Sequence, residues 1–183
     1  MDKWIGAVVA IVIVAVVAWL MIRSWRRRTK RDATLSAYAM PTELRPATLE
    51  LEVLYVATTP TGQPLERLAV QGLAFRGSAR IEVSPDGLVL RIAGEPATYV
   101  PTERIVAAGE ASYVIDRGVE PEGLVAVTWI AQVSDPELVA PHVDSYLRAR
   151  YPGDSARIIA AVNDIAAART ASRPEQESEA SDD

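Results

Sequence analysis

At 183 residues the chain is long enough for one core beside an anchor, and its lack of cysteine and single histidine exclude a disulfide scaffold and a Cys/His zinc site. The net charge of −5 is uneven: residues 1–31 hold seven Lys/Arg and one Asp, and residues 32–183 hold 12 Arg against 23 Asp/Glu, a net of −11. So acidic a body excludes nucleic acid as a partner, since phosphates demand a basic face, and argues against broad adhesion to anionic lipid.

The first element is the uncharged run Trp4–Ile22, read as a transmembrane helix over 4–22. Nineteen residues at ~1.5 Å each cross most of a ~30 Å hydrocarbon core. The run is apolar all round, unlike an amphipathic surface helix, and Trp4 and Trp19 stand near its ends, where indole rings favour the headgroups. Gly6, Ala7, Ala10, Ala15 and Ala18 give it small residues of the kind that let helices approach closely. Arg23, Arg26, Arg27, Arg28, Lys30 and Arg31 follow, against Lys3 alone before it. Positive charge stays inside, so the N-terminus is expected out and the C-terminal body in the cytoplasm of a bacterial cell, anchored in its inner membrane. A cleaved signal peptide needs its basic cluster before the apolar run and a small-residue cleavage site, and Trp19-Leu20-Met21-Ile22 offers none. The basic knot is read as a topology signal in preference to a lipid-recognition site. The absence of cysteine agrees with a reducing compartment, and seventeen Arg against two Lys suggests a high-GC genome.

Residues 23–46 read as a basic juxtamembrane segment and linker in which the helix runs on for a turn or two. Pro41 and Pro46 prevent one long helix, and a short helix over 34–39 is weakly signalled. From Leu49 the period becomes two: Leu49, Leu51, Val53 and Tyr55 alternate with Glu50, Glu52, Leu54 and Val56, a strand wet on one face at first and buried on both faces later. Thr58–Pro64 is a loop, and Leu65–Gly77 is ambiguous. Ser84-Pro85-Asp86-Gly87 between Ile81/Val83 and Leu88–Ile92 marks a β-hairpin, since Pro presets φ, Asp suits the second turn position and Gly accepts positive φ. Ala97–Val100 reads as a strand, Pro101–Arg104 as a turn or one helical turn with Ile105 and Val106 packing inward, and Ala111–Ile115 as a further strand. A polar loop, Asp116–Gly123, leads to the apolar strand Leu124–Ala131 with Trp129 in the core. Residues 135–150 fit either a helix or a loop and last strand near His142–Arg150; Pro141, at ~3 kcal/mol inside a helix, favours the strand. Asp154–Arg169 is a helix capped by Asp154 or Ser155, with Ile158, Ile159, Val162, Ile165 and Ala166 on one face. Thr170–Asp183, with five acids and one Arg, is expected to be a disordered acidic tail.

The domain, read over 47–169, is therefore mainly β: about seven short strands, then one amphipathic helix able to plug the open end of a bent sheet. This order resembles the pleckstrin-homology-like (PH-like) fold, and more narrowly the small bacterial membrane proteins with one N-terminal span and a cytoplasmic PH-like domain. The resemblance rests on the hairpin Ile81–Leu90, the segment Tyr99-Val100-Pro101-Thr102-Glu103-Arg104-Ile105, the strand Leu124–Trp129, and Val143–Arg148 leading into the last helix. It implies a bent seven-strand barrel or sandwich capped by one C-terminal helix. It also implies a setting: such relatives are often labelled export, transporter or hypothetical membrane proteins, and some lie beside pyrimidine-biosynthesis and carbamoyl-phosphate synthase genes. Two departures stand out. Thr58–Arg76 holds only Arg67 and Arg76, with Glu66 beside the first, so no phosphoinositide ligand is expected; and no Trp lies in the final helix.

Catalytic motifs are absent: no phosphate-binding or dinucleotide glycine loop occurs, and the acids lack calcium-loop spacing. His142, Asp144 and Ser145 are too close along one strand to converge, because successive side chains alternate faces. Arg67, Arg76 and Arg80 read as exposed arginines in preference to an anion patch. The expectation is no catalytic residue, metal or cofactor, but a non-enzymatic, membrane-anchored module for protein interaction. The alternative is an accessory subunit of a membrane transport or export complex.

Overall fold

The structure is a computed structural model and describes residues 2–32, 34–111, 113–114, 117–118, 123–135 and 137–172. Helix α1 spans Asp2–Asp32, nearly three turns beyond the apolar run. Its window Gly6–Ser24 is long and apolar enough to cross a membrane, and none of it is buried within the chain. Among the described residues ten strands precede the last, in this order: β1 Leu35–Ser36, β2 Leu49–Pro60, β3 Gly77–Ser84, β4 Gly87–Ile92, β5 Thr98–Pro101, β6 Ile105–Ala111, β7 Tyr113–Val114, β8 Arg117–Gly118, β9 Leu124–Ile130 and β10 Gln132–Val133. A 3-10 turn, Thr102–Arg104, links β5 to β6. Strand β11, His142–Ala149, and helix α2, Asp154–Ser172, complete the fold. Thus a loop and strand occupy 137–149, the arrangement that Pro141 favours.

Seven strands form one antiparallel sheet in the order β5-β4-β3-β2-β11-β9-β6. The long β2 joins its two halves: Leu49–Tyr55 pairs with β3, and Val53–Pro60 pairs with β11. Between them a bulge leaves Val56 unmatched, as Tyr146 faces Ala57 and Leu147 faces Tyr55. Such a bulge bends a strand and sharpens its twist, letting one sheet curl round a core. The core runs from Tyr55, Ile81, Val83 and Leu90 across to Ile105, Val127, Trp129 and Leu147. Helix α2 closes it with Ile158, Val162 and Ala166, and Ile159 and Ile165 pack at the margin. The mainly-β domain with its curled seven-strand sheet and C-terminal helix is the PH-like architecture that the resemblance implies.

Local readings fail where register decides the outcome. Leu54 is exposed and Val56 half-buried, so Val53–Val56 is not buried on both faces; the run buried on both is Ala57–Thr59, which carries β2 into residues read as a loop. Ile105 is fully buried, but a second bulge, between Ile105 and Ala107, turns Val106 to solvent. The strand read over Ala111–Ile115 is divided: β6 ends at Ala111, and Tyr113–Val114 pairs with Arg117–Gly118, the latter read as loop. Residues 112, 115, 116 and 119–122, which share those two readings, lie outside the described residues. Residues 65–76 form no strand: Leu68, Val70 and Leu73 tuck into the core from turns, with Gly72 at φ +81°.

The linker read over 23–46 needs the largest correction. Its first part is helix to Asp32, but residues 34–46 belong to the domain and contain no short helix. Leu35 and Ser36 pair with Val133 and Gln132. The Tyr38 amide donates to the Tyr99 carbonyl at 3.2 Å, and its hydroxyl donates to the Ile130 carbonyl at 2.9 Å. The segment thus ties edge strand β5 to β9, and long-range pairing overrides weak local propensity. At the other end α2 continues to Ser172, and residues 173–183 of the expected tail lie outside the described residues.

Candidate interaction surface

Among the residues expected to hold the chain in a membrane, Trp4, Trp19, Arg23 and Arg26 lie exposed on α1. The Arg23 guanidinium sits over the Trp19 ring at 5.5 Å, a cation–π contact suited to a boundary between apolar and wet layers. The side chains of Arg27, Arg28, Lys30 and Arg31 lie outside the described residues.

The residues that tempt a catalytic reading are occupied structurally. His142 is exposed at the start of β11. The buried Asp144 carboxylate accepts from Thr128 at 2.7 Å and Thr61 at 3.0 Å. Ser145 sits on the opposite face, where its hydroxyl accepts from Trp129 Nε1 at 2.9 Å and meets Thr58 at 2.8 Å. Tyr55 continues this buried chain, donating to Thr58 and to the Leu73 carbonyl, and burial pushes its phenol far up. Buried polar groups have to be paired, and here pairing fixes the strands to one another. The three arginines do not converge on an anion either. Arg67 is half-buried and donates to the carbonyls of Val56 and Ala74, and burial lowers its pKa. Arg80 pairs with Glu50 at 2.7 Å, and Arg76 is exposed.

The surface with shape lies where the β3–β4 turn meets α2. Pro85-Asp86 forms a two-residue loop, and Gly87 follows at φ +151°. The Asp86 carbonyl accepts from the Tyr99 hydroxyl at 2.8 Å and from the Thr102 amide at 3.0 Å, and the Pro85 carbonyl accepts from the Thr102 hydroxyl at 2.9 Å. The Asp86 carboxylate accepts from the Arg45 amide and Nε, both at 2.7 Å. The locally legible hairpin tip is therefore held by Arg45, a residue that sequence reasoning left in a linker. Beside it runs an open groove of about 840 Å³. Leu49, Ala161 and Ile165 supply apolar lining, and Arg157, Asp164 and Glu103 supply charge.

Both ends of the sheet are partly covered from within. Asn163 of α2 takes both backbone groups of Ala108, accepting from its amide at 2.8 Å and donating to its carbonyl at 2.9 Å. Arg169 donates to the Glu103 carbonyl at 2.8 Å. At the opposite end Tyr38 takes the Tyr99 carbonyl. An incoming strand would have to displace these groups, whereas the groove is open.

Comparison with known families matches residues 34–163 to the family described as bacterial PH domain-like. The chain belongs to that family. No curated protein matches it. The bacterial PH domain-like match begins two residues beyond α1 and takes in β1, Tyr38 and Arg45, as the structure does.

The Arg45–Asp86 pair yields a pH signature. Hydrogen bonds from Arg45 hold the Asp86 carboxyl below the ordinary carboxylate range. A lowered native pKa stabilises the fold above ~pH 4, and the gain is lost as pH falls through the native value. Asp86→Asn is expected to be less stable than the parent near neutrality, with the gap closing as pH falls below the ordinary carboxylate range. Urea melts of both proteins across that range check this; a constant gap would assign the loss to geometry and not to charge.

Proposed function

We propose that the chain is a non-enzymatic module of the bacterial PH domain-like family, held by α1 in the inner membrane and docking a protein partner at the cytoplasmic face. The observation that carries this reading is the join: the family match starts at residue 34, and the helix bearing the apolar window ends at Asp32. A domain so joined is confined to the membrane plane, and confinement raises its effective concentration towards other membrane-bound partners. The basic residues after the span support the inward orientation of the body. The structural engagement of Asp144 and Ser145 supports a binding role over a catalytic one. The groove beside α2 offers the docking surface, and the acidic body suits a partner with a basic face.

Topology is tested first. Alkaline carbonate should leave the full-length chain in the membrane fraction, and protease added to spheroplasts should spare the domain. Release by carbonate defeats the anchor; digestion from outside reverses the orientation. A second reading, an accessory subunit of a transport or export complex, is favoured by Gly6, Ala7, Ala10, Ala15 and Ala18 along a helix unpartnered within the chain. Replacing the span by an unrelated hydrophobic helix separates the two. Crosslinked partners should be retained if the domain does the docking, and lost if the span does.

A further inference from the structure

We propose that the loop 137–141, led by Leu138 and Val139, sits in the interfacial layer of the same bilayer that α1 crosses, a proposal that rests on the anchor reading above. Val139 is 93% exposed and Leu138 47%, side by side at a loop tip. Isolated exposed apolar residues are ordinary; what distinguishes these is their place in the chain. The Ser134 amide and hydroxyl both donate to the Thr34 carbonyl, at 2.9 and 3.3 Å, and Val133 pairs with Leu35. The root of the loop is thereby fastened to the first residues after α1. Behind the loop lies a cavity of about 350 Å³ lined by Leu35, Leu68, Val133 and Val143, so the apolar surface continues inward from the tip.

The distances permit contact. The apolar window ends at Ser24, leaving eight helical residues to Asp32. At ~1.5 Å per residue these rise ~12 Å, against a headgroup layer of ~5–8 Å on each side. A tilt of ~20° shortens this rise only to ~11 Å, so the domain's first residues stand ~3–6 Å above the headgroups, a gap that the five residues from Ser134 to Val139 are long enough to span at up to ~3.3 Å each. Asp135 and Glu137 both precede the apolar pair, and the Asp135 carboxylate accepts from the Glu137 amide at 3.0 Å. Two carboxylates rule out attraction to anionic lipid as the driving force. The contact is shallow and apolar, and is expected in zwitterionic vesicles as well as anionic ones.

The absence of native cysteine makes the test direct. Val139→Cys and Ala156→Cys each introduce one thiol for an environment-sensitive NBD dye in the full-length chain. Ala156 is exposed near the start of α2, beyond the far end of β11 from the loop. In phosphatidylcholine vesicles the dye at 139 should emit brighter and blue-shifted relative to 156, and nitroxide-labelled lipid should quench it selectively. Equal, water-like emission from both sites, with the chain still carbonate-resistant, overturns the loop contact and leaves the anchor standing. A blue shift that lipid nitroxide does not quench also overturns it, since protein and not lipid then covers the loop. Release of the chain by carbonate removes the anchor reading, and this proposal with it.

Discussion

Gly87→Ala is expected to come close to unfolding the domain. A Cβ at that position would lie 2.2 Å from the Val100 carbonyl oxygen and 2.9 Å from the Pro101 Cα, both backbone atoms that no side-chain rotation moves aside. The φ of +151° adds strain for any L-residue. The hairpin tip cannot shift to make room, because Tyr99 and Thr102 hold the Asp86 carbonyl and Arg45 holds its carboxylate. Overpacking and backbone strain each cost about 1–3 kcal/mol, giving together about 2–6 kcal/mol of a total stability of roughly 5–15 kcal/mol. Gly94→Ala is the matched control. It too has positive φ, +84°, but its added Cβ meets nothing within 4 Å. It should lose about 1–2 kcal/mol, the cost of a left-handed backbone for an L-residue. Urea denaturation of the two variants in detergent checks this, and equal losses would mean that the tip yields and the close approach is not rigid.

Gly87 also marks the limit of what sequence can tell. Pro-Asp-Gly is a local signal, so the turn is legible, yet the need for glycine comes from Val100 and Pro101 on the neighbouring strand. The same division runs through the fold. The strand Leu124–Ala131 and the apolar face of α2 are legible because periodicity is local. The bulges that expose Val106 and leave Val56 unmatched are set by register against β9 and β11, which no short window contains. Residues 34–46 read as a linker because their partners lie far along the chain: Tyr38 meets Ile130, 92 positions away, and Arg45 meets Asp86, 41 away. The groove is illegible for the same reason, since its walls come from four separated pieces: Arg45–Leu49, Pro85, Thr102–Glu103 and α2. By contrast the long apolar helix and the basic residues after it are legible in the sequence, because length and polarity are local properties.

Ile158→Ala is expected to cost about 2–5 kcal/mol, the range for truncating a large buried aliphatic side chain where the fold cannot collapse onto the space. Ile158 and Val162 are fully buried and lie one turn apart, the centre of the plug that α2 sets into the sheet. No tryptophan lies in this helix to share the work. Ile159, half-buried at the margin, is the internal comparison, and Ile159→Ala should cost clearly less. A second readout separates undocking of the helix from a simple cavity. The Ala108 amide is bonded to Asn163 and not to a neighbouring strand, so its protection from hydrogen exchange depends on α2 staying in place. In Ile158→Ala that amide should exchange sooner than those between β2 and β3, which other strands secure. Loss of stability with unchanged protection at Ala108 would mean that the helix stays seated and only a void has formed. Early exchange there would make α2 the weakest joint of the domain. The groove, proposed above as the docking surface, would then share a wall with the element most easily moved, and a partner bound across α2 and the β3–β4 tip would stabilise the fold in proportion to its affinity for the closed form.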